Sequence, residues 1–118
     1  MRKRFFTIAL AMAAWMGQLT AQTTVSGSFE HDGITRSYGY YIPASYQPGT
    51  PAPLVIGLHG TGSSGESFAT NRDFRPIADT AGFIFGYPDG SRLLGLRYWN
   101  FGNVFGSTVD DKIGRAHV

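Results

Sequence analysis

Two kinds of hydrophobic pattern run along this chain, and they divide it. From Val25 to His31 apolar and polar positions alternate, with Val25, Gly27 and Phe29 on one side and Ser26, Ser28 and Glu30 on the other. That is the period of a strand with two unlike faces. Asp32-Gly33 follows, a dipeptide favoured in two-residue hairpin turns because both central positions need a positive φ. Ile34 to Ile42 returns as a tyrosine-rich strand, with Tyr38, Tyr40 and Ile42 set against Ser37, Gly39 and Tyr41, and Pro43 ends it. Pro43 to Pro53 holds four prolines and a glycine and reads as a surface loop.

The second pattern begins at Leu54. Leu54-Val55-Ile56-Gly57-Leu58-His59 does not alternate, which is how a strand buried on both faces of a parallel sheet reads. A Gly/Ser loop, Gly60 to Gly65, comes directly after it. A helical segment is expected between Glu66 and Ala81. Its clearest part starts near Pro76, which suits a first helical turn, and Gly82 suits the position just past the helix end. Phe83 to Tyr87 is a second continuous apolar run, closed by Pro88-Asp89-Gly90. The fold class is therefore α/β, an antiparallel hairpin leading into a parallel sheet through a helical crossover, which is right-handed by rule. One helix cannot cover two strands buried on both faces, so the sheet is expected to continue in further sequence.

Both ends of the chain differ from this middle. Arg2-Lys3-Arg4 precedes Phe5 to Gly17, an apolar stretch of thirteen residues, and Leu19-Thr20-Ala21 offers a cleavage site. Thirteen residues rise only about 20 Å as a helix, short of the ~30 Å hydrocarbon core. Residues 1–21 are therefore expected to be a cleaved signal peptide. The protein would be secreted, touching a membrane only through that leader. Residues 112–118 invite a different suspicion. Ile113-Gly114-Arg115-Ala116-His117-Val118 back-translates as ATC GGA AGA GCA CAC GTC, the string of a common sequencing-adapter oligonucleotide. These residues are expected to be read-through, with residues 22–111 the N-terminal part of a longer catalytic domain.

Composition sharpens the picture by exclusion. At 15% charged and 14% aromatic residues the chain is too apolar for disorder. With no cysteine it has no disulfide framework, thiolate nucleophile or cysteine-ligated metal. Setting Arg2, Lys3 and Arg4 aside leaves seven basic against eight acidic residues, and the remaining basic residues do not cluster. A nucleic-acid footprint needs a basic stripe, so no nucleic-acid partner is expected.

At Leu58-His59-Gly60-Thr61-Gly62 the chemistry becomes specific. Arg36-Ser37-Tyr38, Tyr41-Ile42-Pro43-Ala44-Ser45-Tyr46 and Pro53-Leu54-Val55-Ile56 precede it. Ile77-Ala78-Asp79-Thr80-Ala81-Gly82-Phe83, Tyr87-Pro88-Asp89-Gly90, Trp99-Asn100 and Val109-Asp110-Asp111 follow it. This succession, from Ser28 to Asp111, resembles the N-terminal portion of secreted α/β-hydrolase esterases of the polyhydroxybutyrate-depolymerase and feruloyl-esterase group. Related sequences often carry cysteines where Thr61 and the stretch Asn103-Val104-Phe105-Gly106 stand here. The resemblance implies an α/β-hydrolase fold, truncated in this chain, and a cofactor-free, metal-free Ser-His-Asp triad acting on a small-molecule or polymeric ester. It implies an oxyanion hole to which Thr61 contributes its N–H while Gly60 permits close approach. Losing one such donor typically costs about 10²–10³ in rate. His59 and Gly62 would shape that loop.

No G-x-S-x-G occurs in the chain. Gly62-Ser63-Ser64-Gly65-Glu66 fails at its last position. Gly65-Glu66-Ser67-Phe68-Ala69 ends in alanine and has no strand running into it, as a nucleophile elbow requires. The resemblance puts the nucleophile, acid and base beyond Asp111, and the chain by itself is expected to be inactive. His59 at a strand end is expected to be structural, and Asp89 to serve its turn. Adjacent residues on an extended strand face opposite ways, so Asp110-Asp111 reads as a loop tie, not a metal pair. Trp99 and Asn100 either line an aromatic platform for substrate or pack in the core. A serine peptidase on the same fold and a small secreted polysaccharide-binding module remain the alternatives. The second of these should show alternation in every strand.

Overall fold

A computed structural model of the chain describes residues 22–101, 106 and 111. The leader, the tail, Asn103 to Phe105, Val109 and Asp110 lie outside the described residues. The first two strands, β1 (Thr23–His31) and β2 (Ile34–Ile42), form an antiparallel hairpin in continuous register from Thr23↔Ile42 to His31↔Ile34. Asp32 and Gly33 make its turn with φ of 52° and 71°, the left-handed pair that this dipeptide favours. β1 begins two residues before the alternation starts, at Thr23 rather than Val25.

β3 (Leu54–Ile56) is shorter than the apolar run that encodes it. The chain leaves the ladder after Ile56, although the Gly57 N–H still donates to the Gly86 carbonyl at 2.8 Å. β4 (Ile84–Pro88) runs parallel to β3 and antiparallel to β2, which gives the sheet order β1-β2-β4-β3. The expected hairpin and the parallel pair are therefore one mixed sheet, and the molecule is a small mixed α/β domain.

The single helical segment divides into α1 (Gly65–Asn71) and α2 (Arg75–Ala81). Ser64 caps α1, its Oγ accepting from the Ser67 N–H at 3.1 Å, which satisfies one orphan donor of the first turn. Pro76 explains the break: it has no N–H to donate to the Arg72 carbonyl, and its ring disfavours a helix running through. Asp73 then restarts the chain by accepting from the Arg75 N–H at 3.1 Å and holding the Arg75 guanidinium at 2.6 Å. Gly82 ends α2 at φ 73°.

Both helices lie on one face of the sheet. Phe85, fully buried at the centre of β4, meets the rings of Phe74 and Phe68 at centroid distances of 5.2 and 6.5 Å, with Tyr41 and Ala78 completing the core. The Tyr41 hydroxyl donates to Asp79 at 2.7 Å, pinning α2 to β2. Burial, reinforced by that neighbouring carboxylate, pushes the phenol up to about 12. The expected burial of β3 on both faces is not observed: Leu54, Val55 and Ile56 are 59%, 37% and 56% exposed, because among the described residues β3 pairs only with β4 and the helices pack on β2 and β4.

A second ribbon follows, β5 (Ser91–Leu93) and β6 (Leu96–Tyr98), paired Ser91↔Tyr98 through Leu93↔Leu96. Its turn, Leu94-Gly95, has φ of 50° and 83°. Leucine in this left-handed region costs roughly 1–2 kcal/mol, and Leu-Gly is not a dipeptide that announces a hairpin. No local signal in the sequence therefore announces this ribbon.

Candidate functional site

The loop leaving β3 is built around one imidazole. His59 is only 2% exposed, and both of its ring nitrogens are engaged. Nε2 accepts from the Gly90 N–H at 2.9 Å, and Nδ1 faces the Gly60 carbonyl at 2.8 Å. A backbone N–H can only donate, so the proton sits on Nδ1 and is given to Gly60. The Trp99 indole lies 5.0 Å from the imidazole, centre to centre, and its Nε1–H donates to the His59 carbonyl at 2.8 Å. This histidine has no lone pair left for a serine. It locks the loop after β3 to the turn after β4, and so draws together the carboxyl ends of the two parallel strands.

Around that lock the loop is held by its own backbone. The Ser63 N–H donates to the Gly60 carbonyl at 3.1 Å, and the Gly62 N–H, at φ 83°, donates to the Arg97 carbonyl of β6 at 2.7 Å. Gly60, Thr61 and Gly62 are all exposed. No hydrogen bond among the described residues uses the Thr61 N–H. Thr61 also borders an apolar pocket of about 280 Å³, walled by Leu93, Leu94, Leu96 and Tyr98.

Asp89 does much more than close a turn. Its Oδ1 accepts from the Gly65 N–H at the start of α1 at 2.8 Å; its Oδ2 accepts from the Ser37 hydroxyl at 2.7 Å and pairs with Arg97 at 3.0 Å. One carboxylate thereby joins β4, β2, β6 and α1. Gly65 must be glycine for this, since a Cβ there would collide with the Tyr87 carbonyl oxygen.

Asp111 makes the second staple. Its Oδ1 accepts from the Arg36 guanidinium and from the Ser91 hydroxyl, the latter at 2.5 Å, and its Oδ2 accepts from the Asn100 N–H at 2.6 Å. Arg36 and Asp111 side chains are 5% and 3% exposed. Asn100 is fully buried, whereas Trp99 keeps part of its surface exposed. Among the described residues no three metal-ligating side chains gather, and none of their serine hydroxyls meets a histidine ring. Ser64 is a helix cap, and Ser67 accepts from the Asn71 amide at 3.2 Å. The two staples were only half legible: each aspartate was visible as a loop residue, but its partners are remote in the chain.

Burial by itself would raise both aspartates. For Asp89 the Gly65 N–H, the Ser37 hydroxyl and the Arg97 guanidinium outweigh it. For Asp111 the Ser91 hydroxyl, the Asn100 N–H and Arg36 do the same, and both carboxyls are held below the ordinary carboxylate range. A group whose folded pKa is depressed stabilises the fold fully above its unfolded value, near ~3.9. That stability is lost as pH falls through the folded value. The thermal midpoint is therefore expected to hold down to about pH 5 and to fall below about pH 4. Asp89→Asn should lower the plateau and flatten the acid slope. Melting curves across that range check this, and an acid slope unchanged in the variant would count against Asp89 as a source.

No protein-family model matches the chain, and no curated protein matches it either.

Proposed function

We propose that this chain belongs to a secreted carboxylic-ester hydrolase of the α/β-hydrolase type, in which the loop after β3 supplies one oxyanion donor, the N–H of Thr61. The observation that carries the reading is the His59 lock. It holds Gly60 and Thr61 at the carboxyl end of a parallel strand pair, where open α/β sheets bind their ligands, and it leaves the Thr61 N–H exposed for an acceptor. The strand order, with an antiparallel β2 between β1 and a parallel β4-β3 pair, supports the same reading. So does the open face of β3, whose continuous apolar sequence suits a second layer of cover. A β-sandwich binding module has no support in a sheet with a parallel pair joined through helices.

The reading requires a nucleophile, and no serine of the described residues stands on a strand–turn–helix elbow. The triad is therefore proposed to follow Asp111 in the parent gene. The test is to sequence that gene across the Asp111 codon, express the whole frame and assay p-nitrophenyl acetate. Expected are a downstream G-x-S-x-G and turnover abolished when its serine becomes alanine. A frame that closes after Val118, or a full product that cleaves peptides and no ester, would overturn the proposal.

A further inference from the structure

We infer that the β5–β6 ribbon is the acyl-binding wall of this site, and that it receives a short, uncharged aliphatic acyl chain against Leu94 and Leu96. The inference rests on the ester-hydrolase reading and deepens it. It starts from a residue the fold does not explain. Leu94 occupies a left-handed turn position, φ 50°, that glycine or asparagine would fill without strain, and it is 96% exposed. A leucine that is both strained and unpacked gains nothing from the described fold. Strain held in this way points to a function outside the fold's own packing.

The ribbon is two-faced. The pairs Ser91↔Tyr98 and Leu93↔Leu96 share one side, and Arg92↔Arg97 takes the other. Its apolar side and tip form the pocket of about 280 Å³ whose remaining wall is Thr61. No charged side chain lines this pocket, so a carboxylate or ammonium on the chain would be desolvated without a partner. The volume sits at the small end of ligand sites, which span about 300–1,000 Å³, and it suits a chain of a few carbons rather than a fused or branched aromatic.

Position relative to the chemistry is also fixed. Gly62 N–H is bonded to the Arg97 carbonyl at 2.7 Å, and Arg97 is in turn held by Asp89 at 3.0 Å. The wall and the proposed oxyanion donor are thus one unit. An ester whose carbonyl oxygen sits on the Thr61 N–H would have its acyl carbon chain start at the pocket mouth.

The test uses the product of the whole gene and p-nitrophenyl acetate, butyrate and hexanoate. For the unaltered protein kcat/KM is expected to rise with chain length, by about fourfold for each methylene that enters the pocket. In Leu94→Asn, and in Leu94→Asn combined with Leu96→Thr, the hexanoate-to-acetate ratio of kcat/KM is expected to fall by about tenfold or more. Asparagine suits the left-handed turn, so the Leu94→Asn thermal midpoint should not drop. If the double variant melts early, the single variant decides the matter. A ratio unchanged in folded Leu94→Asn overturns the acyl wall and leaves the esterase reading standing. Absence of ester turnover by the unaltered product overturns both.

Discussion

Asp111→Ala is expected to cost about 3–5 kcal/mol of folding free energy and to leave the chain largely unfolded at 37 °C. The carboxylate neutralises Arg36 inside the protein, where both side chains are almost wholly removed from solvent. Deleting it strands a guanidinium that cannot shed its proton, and it also abandons the Ser91 hydroxyl and the Asn100 N–H. Small domains have only about 5–15 kcal/mol in total, so this loss takes a large share. A control separates the charge from the packing. Arg36→Met together with Asp111→Leu removes both charges, and such replacements are often neutral or stabilising by about 1–4 kcal/mol. The double variant should therefore be more stable than Asp111→Ala. Urea unfolding followed by tryptophan fluorescence measures both. A midpoint for Asp111→Ala within experimental scatter of the unaltered chain would show that the pair is dispensable.

Phe85→Ala is expected to have an effect of similar size, about 3–5 kcal/mol. Phe85 has no exposed surface, and three rings close on it: Phe74 at 5.2 Å, Tyr87 at 5.5 Å and Phe68 at 6.5 Å between centroids. Those rings come from both helices' neighbourhood and from β4 itself, so a cavity at Phe85 loosens the only face of the sheet that the helices cover among the described residues. Phe85→Leu retains most of the volume and is expected to cost clearly less. The urea midpoint should order unaltered chain, Phe85→Leu, Phe85→Ala, with an unchanged slope. An Phe85→Ala midpoint equal to that of Phe85→Leu would mean that the cavity collapses without penalty.

How far these features could be read in advance depended on the range of the interaction. Asp32-Gly33 and Gly82 were legible because a positive φ is demanded and supplied locally. The two continuous apolar runs announced the parallel pair, yet they implied cover on both faces, and Leu54, Val55 and Ile56 all stay exposed. Pro76 suits a helix start, and the missing N–H that lets it do so also ends the helix before it. The β5–β6 ribbon escaped because its strands are three residues long and its turn is Leu-Gly. His59 was recognisable as a loop-shaping residue from its place after a buried run. Its partner, the Gly90 N–H, is a backbone group that any residue but proline would offer, and composition cannot mark such a group. Arg36 gave no sign at all of being buried, since its neutralising carboxylate stands 75 positions away.

That interval can also be expressed as time. Synthesis adds about 5–20 residues per second, so for roughly 4–15 seconds after Arg36 has been joined to the nascent chain, the residue that compensates its charge has not yet been made. The β1–β2 hairpin can form during that wait, but it cannot be buried with its guanidinium unanswered. A chain halted before Asp111 should therefore remain open around β2, and close only when the late carboxylate is present.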